Sequence, residues 1–281
     1  MQLTSGRPFG SRNRVISGFS RAFTFILLIA AIACIPAAAD PVVQITQCGT
    51  VISQPGHYIL GNDLSCFDQD GVDIVSDHVD LMLNNHQISN VCQDFVASGI
   101  SVGVGVASGN SHVHIIGPGS ITGFKAGVFF EQVSFSTVED VTSTNNFFGF
   151  VVNGGFSVGC NQSCPSTKNN FQGNTATFNN QHGFTLNGAT DNTFRDNNAS
   201  NNSAGFGILL FTASGNDVRD NTTNNNGGPG IGTSAGTGTD NDVFHNTAQG
   251  NSTDLVDGNT GCDSNTWKHN TFGTANQACI N

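Results

Sequence analysis

Five segments between Asn169 and Asn270 share one pattern: Asn, any residue, an apolar residue, two variable residues, Asn. They are Asn169-Asn170-Phe171-Gln172-Gly173-Asn174, Asn192-Thr193-Phe194-Arg195-Asp196-Asn197, Asn216-Asp217-Val218-Arg219-Asp220-Asn221, Asn241-Asp242-Val243-Phe244-His245-Asn246 and Asn265-Thr266-Trp267-Lys268-His269-Asn270. Their starts lie 23, 24, 25 and 24 residues apart. A fixed period of this size belongs to a solenoid, whose repeats bury their apolar faces only against their neighbours. A length of 281 residues would allow one or two domains. The repeat requires one elongated domain instead.

The repeat is of β type. Short β-branched and aromatic stretches are separated by Asn and Gly, which tolerate left-handed turns. Three short strands with their turns fill about two dozen residues, and stacked coils pair each strand with its copies at ~4.8 Å. Asn174, Asn197, Asn221, Asn246 and Asn270 recur in one column. They are expected to form a ladder at a turn, each side-chain amide satisfying the next where burial would otherwise be costly. On that reading Asn221→Leu costs about 1–3 kcal/mol. Upstream, Val79-Asp80-Leu81-Met82-Leu83, His112-Val113-His114-Ile115 and Val138-Glu139-Asp140-Val141 alternate apolar and polar. Aligned on the central apolar residue, they extend one column: Val79, Val113, Val138, Phe171, Phe194, Val218, Val243 and Trp267. Its two long steps, of 34 and 33 residues, need inserted loops, for which 90–98 and 154–166 are the candidates.

Residues 1–21 are basic and free of acids, Phe23 to Ile35 is apolar, and Ala37-Ala38-Ala39 precedes Asp40. This is the layout of a secretory signal peptide over residues 1–39. The apolar run falls short of the ~20 residues of a membrane span. An uncleaved anchor and a lipoprotein cleavage at Cys34 are the alternatives. The expected organisation is a signal peptide (1–39), an N-terminal cap (40–70) and a β-helix domain (71–281) with a disulfide-clipped C-terminal cap. Localisation would be secreted, periplasmic or at the cell surface.

The formal charge is −11, and four of the nine Lys and Arg residues lie in the leader. The mature chain would carry five cations against 20 acids. Such a surface repels nucleic acid and anionic membranes. It also repels polyuronates, unless a bound cation or a local basic strip intervenes. Export permits disulfides among the cysteines that remain after Cys34 is lost. Sequence proximity pairs Cys48–Cys66, Cys160–Cys164 and Cys262–Cys279, with Cys92 left over. Two of these pairs would clip the solenoid ends, which need caps. Metal or redox chemistry is the alternative for Cys160-x-x-x-Cys164.

The segment Asp77-His78-Val79-Asp80-Leu81-Met82-Leu83-Asn84-Asn85-His86-Gln87-Ile88, the later Gly117-Pro118-Gly119-Ser120-Ile121-Thr122-Gly123-Phe124 and the Asn-rich repeats together resemble right-handed parallel β-helix repeat proteins. That group includes pectate-lyase-like and NosD-like proteins, and the resemblance covers about residues 45–275. It implies an all-β, single-stranded, right-handed parallel β-helix of about eight coils with N- and C-terminal caps. Members include carbohydrate-active enzymes, copper-enzyme maturation proteins and surface proteins, so the fold leaves the activity open.

Residues flanking the inward column point outward together. After it come Asp80, His114, Glu139, Gln172, Arg195, Arg219, Phe244 and Lys268; before it come His78, His112 and Thr137 in the first coils. His78, His112 and His114 are candidate metal ligands, since imidazole suits Cu and Zn. Alternatively Asp80 and Glu139, with His114, are candidate catalytic groups. Two coils would separate the carboxylates by about 9–10 Å, near the upper end for inverting glycosidases. The third reading is a solvated polar face. Arg195, Arg219, Phe244 and Lys268 are candidates for binding a glycan, with ion pairing to Asp217 and Asp242 as the alternative. Asp196, Asp220, His245 and His269 share a column read as turn chemistry, and His86 and His182 are read as structural.

No adjacent Asp-Asp pair and no Arg-Ile-Lys segment occur, so the polygalacturonase signature is missing. Nothing matches, residue by residue, a pectate-lyase arginine base beside calcium-binding carboxylates. One Trp and one Tyr exclude a broad aromatic sugar platform. The leading expectation is therefore an exported monomer that binds polysaccharide on its strand face. It requires no cofactor, although Ca or Cu would suit it. A polysaccharide lyase or hydrolase and a NosD-like periplasmic accessory protein linked to copper are the alternatives.

Overall fold

A computed structural model describes residues 41–281, apart from 93–94, 105, 107–108, 157–162 and 236–237. The expected signal peptide lies outside these residues. The chain winds as a parallel β-solenoid of about nine coils with three faces. Among the described residues there is no α-helix, only one 3-10 turn at Thr260–Cys262. Face A stacks Val43–Ile45, Gly56–Leu60, Val79–Met82, the first halves of Val113–Thr122 and Thr137–Thr144, and then the five repeat strands from Asn170–Gln172 to Thr266–Lys268. Face B takes the second halves of the two long strands and short pieces such as Gln87–Asn90 and Thr175–Thr177. Face C stacks nine strands, from Thr50–Ile52 to Leu255–Val256. The stretch expected as an N-terminal cap pairs into faces A and C, which accounts for the additional coil.

The core is a set of vertical apolar files. Phe171 lies under Phe194 with rings 4.7 Å apart and 3° from parallel, and Phe150 lies under Phe184 at 4.6 Å. The two files meet edge to face, as at Phe184 and Phe194, the arrangement favoured by the ring quadrupole.

The register differs from the expected column at one step. Val79 faces Val113, but Val138 faces Ile115 rather than Val113. The continuous file is therefore Leu81, Ile115, Val138, Phe171, Phe194, Val218, Val243, Trp267. A two-residue slip leaves every side chain on its expected face, so alternation alone cannot detect it. It does move Glu139 one outward position along the strand, opposite Ile116.

Every corner from Asn146 onward is held by an amide ladder. The expected ladder runs Asn174–Asn197–Asn221–Asn246–Asn270 between faces A and B, with 3.0–3.1 Å side-chain bonds from Asn197 on. Asn169–Asn192–Asn216–Asn241–Asn265 forms a second between faces C and A. Asn146–Asn179–Asn202–Asn226–Asn251 forms a third between B and C. In each, one Oδ1 accepts both the backbone and the side-chain N–H of the Asn one coil earlier.

The third ladder ends on Asp254. Its carboxylate accepts bonds from Asn251, Gly273 and Thr274. Burial pushes the Asp254 carboxyl up, but these hydrogen bonds together outweigh it and hold the group below its ordinary value. A carboxylate with a depressed folded-state pKa stabilises above the unfolded value and loses that contribution as pH falls through the folded one. The urea midpoint should therefore drop between pH 5 and pH 3 more steeply in the native chain than in Asp254→Asn. Equal slopes would remove Asp254 as the cause.

Cys48–Cys66 and Cys262–Cys279 are bonded, one near each end of the solenoid, as expected. Cys160 lies outside the described residues, and with it the expected Cys160–Cys164 pair. Cys92 is exposed. Within the expected insertion, Gly155–Phe156 pairs antiparallel with Ser163–Cys164.

Candidate functional site

Parallel pairing places His57, Asp80 and His114 opposite one another on three successive face A strands, all outward. The Asp80 carboxylate sits between the two rings. Its Oδ2 is 2.8 Å from His57 Nδ1 and its Oδ1 is 3.1 Å from His114 Nδ1. The two His side chains are about half exposed, at 46% and 48%, so their rings can turn.

One step back along the chain, at the corner from face C, His78 and His112 both adopt φ of 56°. This left-handed conformation is several-fold enriched in Asn, Asp and His. Equivalent backbone in adjacent coils stacks their rings 4.8 Å apart and 3° from parallel. The stack continues to Phe135 at 5.6 Å, with the Lys168 ammonium 5.3 Å from that ring. The four imidazoles and Asp80 line one cleft of about 830 Å³ at the N-terminal end of face A, walled by Pro55 and Tyr58.

The expected ligands His78, His112 and His114 thus line one cleft, and of the three His114 contacts Asp80. His57 was not foreseen, because its strand was read as part of a cap; its alternation with Tyr58 and Ile59 was the available signal. Glu139 does not join them. It lies in a different column from Asp80, so the expected vertical carboxylate pair does not form. Among the described residues, no group of three or more His, Cys, Asp and Glu is already arranged to hold a metal ion.

Gln172, Arg195, Arg219, Phe244 and Lys268 share one outward column, as expected. Arg195 donates to Gln172 Oε1. Arg219 pairs with Asp217 at 3.3 Å and lies 6.0 Å from the Phe244 ring, so ion pairing occupies part of this cluster. Burial, with added repulsion from Asp242 and Asp220, raises the Asp217 carboxyl despite Arg219. Asp196, Asp220, His245 and His269 all have φ of 56–58°, which bears out turn chemistry for that column. His182 accepts the Phe206 N–H, and burial depresses its pKa. His86 contacts Asp63 at 3.1 Å. No helix of the described residues is long and apolar enough to cross a membrane.

Comparison with known families matches residues 43–278 to the family described as periplasmic copper-binding protein (NosD). Comparison with curated proteins gives no match. Among solved structures, the A-module of a mannuronan C-5 epimerase from Azotobacter vinelandii aligns with a TM-score of 0.52 and 11% identity, over 86% of each chain. A variant of the periplasmic alginate epimerase AlgG aligns with a TM-score of 0.50 and 14% identity, over 85% of this chain and 51% of that one. The chain thus spans about half the length of AlgG. Pectate lyase Pel9A aligns at 0.48 with 12% identity, over 86% of this chain and 68% of that one. At such identities the likeness is one of fold alone.

Proposed function

We propose, from the premise that this chain belongs to the NosD family of periplasmic copper-binding proteins, that it is exported and binds copper in the cleft of His57, His78, Asp80, His112 and His114. The observation that carries this reading is that four imidazoles line one cleft, two of them held against the Asp80 carboxylate. Imidazole suits copper. Asp80 engages the Nδ1 atoms of His57 and His114, which leaves Nε2 of each ring as the donor. A carboxylate behind a ligating imidazole sets its tautomer and raises its basicity. The half-exposed rings must turn to meet an ion, and the acidic chain favours a cation over its surface.

After loading with Cu(II) and dialysis, the purified chain should retain copper by elemental analysis. Replacing all four histidines by Ala should abolish retention, and Asp80→Asn should weaken it about 10–100-fold. Because the ligating rings must be neutral, affinity should also fall as the solution is acidified. No retained copper, or unchanged retention by the four-His variant, would refute the reading.

A second reading rests on the file of Arg195, Arg219, Phe244 and Lys268. Three cations and an aromatic ring in line suit an elongated glycan, with calcium bridging any acidic one, and two of the fold's neighbours are named as a mannuronan C-5 epimerase and an alginate epimerase. Retention in a glycan affinity gel without released products supports binding. Release of reducing or unsaturated ends supports catalysis, and the absence of both retention and release would refute this reading.

A further inference from the structure

The three faces differ in outward chemistry. Face A presents polar and ionisable groups. Face B presents a file of Ser65, Ser89, Thr122 and Thr144. Face C presents Phe129, Val151, Thr185 and Leu209 in one file, with Phe148 beside them and Phe211 47% exposed. On a surface otherwise rich in Asn, Ser and Thr, an apolar strip broken by a single Thr marks a binding site. The strip is concave. Two adjoining hollows of about 280 and 320 Å³ share Phe129, Phe148 and Val151, which is the small end of the range for ligand pockets.

Charged groups stand at one end only. Asp70 and Lys125 both line the first hollow, with Ser98 and Ser101 between them. Asp70 accepts the Ser98 N–H, and Asp73 accepts the Ser101 hydroxyl. Ser98 lies opposite Ala126, the residue after Lys125. Asp70 and Lys125 are therefore two coils apart, about 10 Å between backbones, a gap that a Lys side chain largely spans. Among the described residues neither enters a salt bridge. Burial pushes the Asp70 carboxyl up against the Ser98 amide, and the charge of Asp73 adds to the rise. An incoming cation would relieve that penalty.

We infer that this trough binds an apolar α-amino acid: Asp70 takes the ammonium, Lys125 the carboxylate, and Phe129, Phe148 and Val151 the side chain. Opposite charges beside an apolar floor fit a molecule that carries both. A simple acid would leave the half-buried Asp70 without a cation, and a simple amine would forgo the contact with the exposed Lys125 ammonium. The site is on a different face from the imidazole cleft and does not depend on copper.

The test is calorimetric titration of the full chain with L-phenylalanine, phenethylamine and 3-phenylpropanoate. L-phenylalanine should bind, and the two one-charge analogues should bind about tenfold more weakly or less. Asp70→Asn should reduce L-phenylalanine to the level of 3-phenylpropanoate, and Lys125→Met to the level of phenethylamine. Circular dichroism confirms that each variant is folded; should one misfold, the three-ligand comparison on the native chain still decides. Equal binding of all three ligands, no binding of L-phenylalanine, or binding indifferent to both variants would overturn the inference.

Discussion

Gly183→Val will abolish the cooperative fold. A column of glycines, Gly71, Gly99, Gly127, Gly149, Gly183, Gly207 and Gly230, stands where the chain enters face C. A Cβ placed on each would meet the carbonyl oxygen of the next coil at 2.3–2.8 Å. At Gly183 it would lie 2.7 Å from Gly207 O, 2.9 Å from Ala199 Cβ and 3.0 Å from Asn202 Nδ2. These are not flexible side-chain ends. One is backbone, and another belongs to an amide ladder. Relief would require widening the coil spacing, which the parallel hydrogen bonds hold at ~4.8 Å. Ordinary overpacking costs about 1–3 kcal/mol. Here the clash is with backbone on a rung shared by neighbours, so a loss above about 4 kcal/mol is expected. Thr185→Val, on the same strand, removes a buried hydroxyl that lacks a partner among the described residues and should not lower stability. Urea unfolding followed by circular dichroism compares the two. A cooperative Gly183→Val transition near the native midpoint would disprove the column's role.

Asn221→Ala should be the next most damaging change. The Asn221 side chain makes four bonds in a corner where the residue is 1% exposed. Its Oδ1 accepts from Asn197 N and Asn197 Nδ2, and its Nδ2 donates to Phe194 O and Asn246 Oδ1, all within 2.9–3.0 Å. Truncation leaves Asn197 N, one N–H of Asn197 Nδ2 and Phe194 O short of a partner away from water, each worth about 1–3 kcal/mol when left unpaired, while Asn246 Oδ1 keeps the Asn221 N–H. Partial relaxation brings the expected total to about 3–5 kcal/mol, above the 1–3 kcal/mol suggested by a simple amide stack. Asn198→Ala, one residue beyond the neighbouring rung and exposed, is the control and should be nearly silent. Equal midpoints for the two variants would rule out the ladder as a major stabiliser.

The fold was legible because two Asn positions per repeat have no chemical substitute: only a side chain with donor and acceptor can continue a buried ladder. Other regularities were equally present and went unread. Gly99-Ile100-Ser101-Val102, Gly127-Val128-Phe129-Phe130, Gly183-Phe184-Thr185-Leu186 and Gly207-Ile208-Leu209-Leu210 repeat a Gly-apolar-x-apolar pattern through the early coils as well as the late ones. That pattern runs through the face C strands from Val72–Ile74 to Ile208–Phe211 and would have exposed the two-residue slip at Ile115–Val138. The slip hid Glu139's true column, since alternation is blind to even shifts. His57 stayed hidden because its coil lies before the first recognisable repeat. The Asp70 trough had no local signature at all. Its charges and its apolar floor come from separate coils and meet only after winding.

The amide ladders also give the molecule an electrical direction. Each Asn side chain accepts from the coil before it and donates to the coil after it, so its dipole points the same way as its neighbours' along the axis. Aligned dipoles polarise one another and leave fractional charge at their ends, as the peptide units of a helix do. The positive ends are met by carboxylates, Asp254 after Asn251 and Asp257 after Asn265. The opposite ends lie at Asn146, Asn169 and Asn174, where each Oδ1 is met by a backbone N–H, of Phe124, Ser136 and Val141, so the negative pole of every ladder is neutralised within the fold.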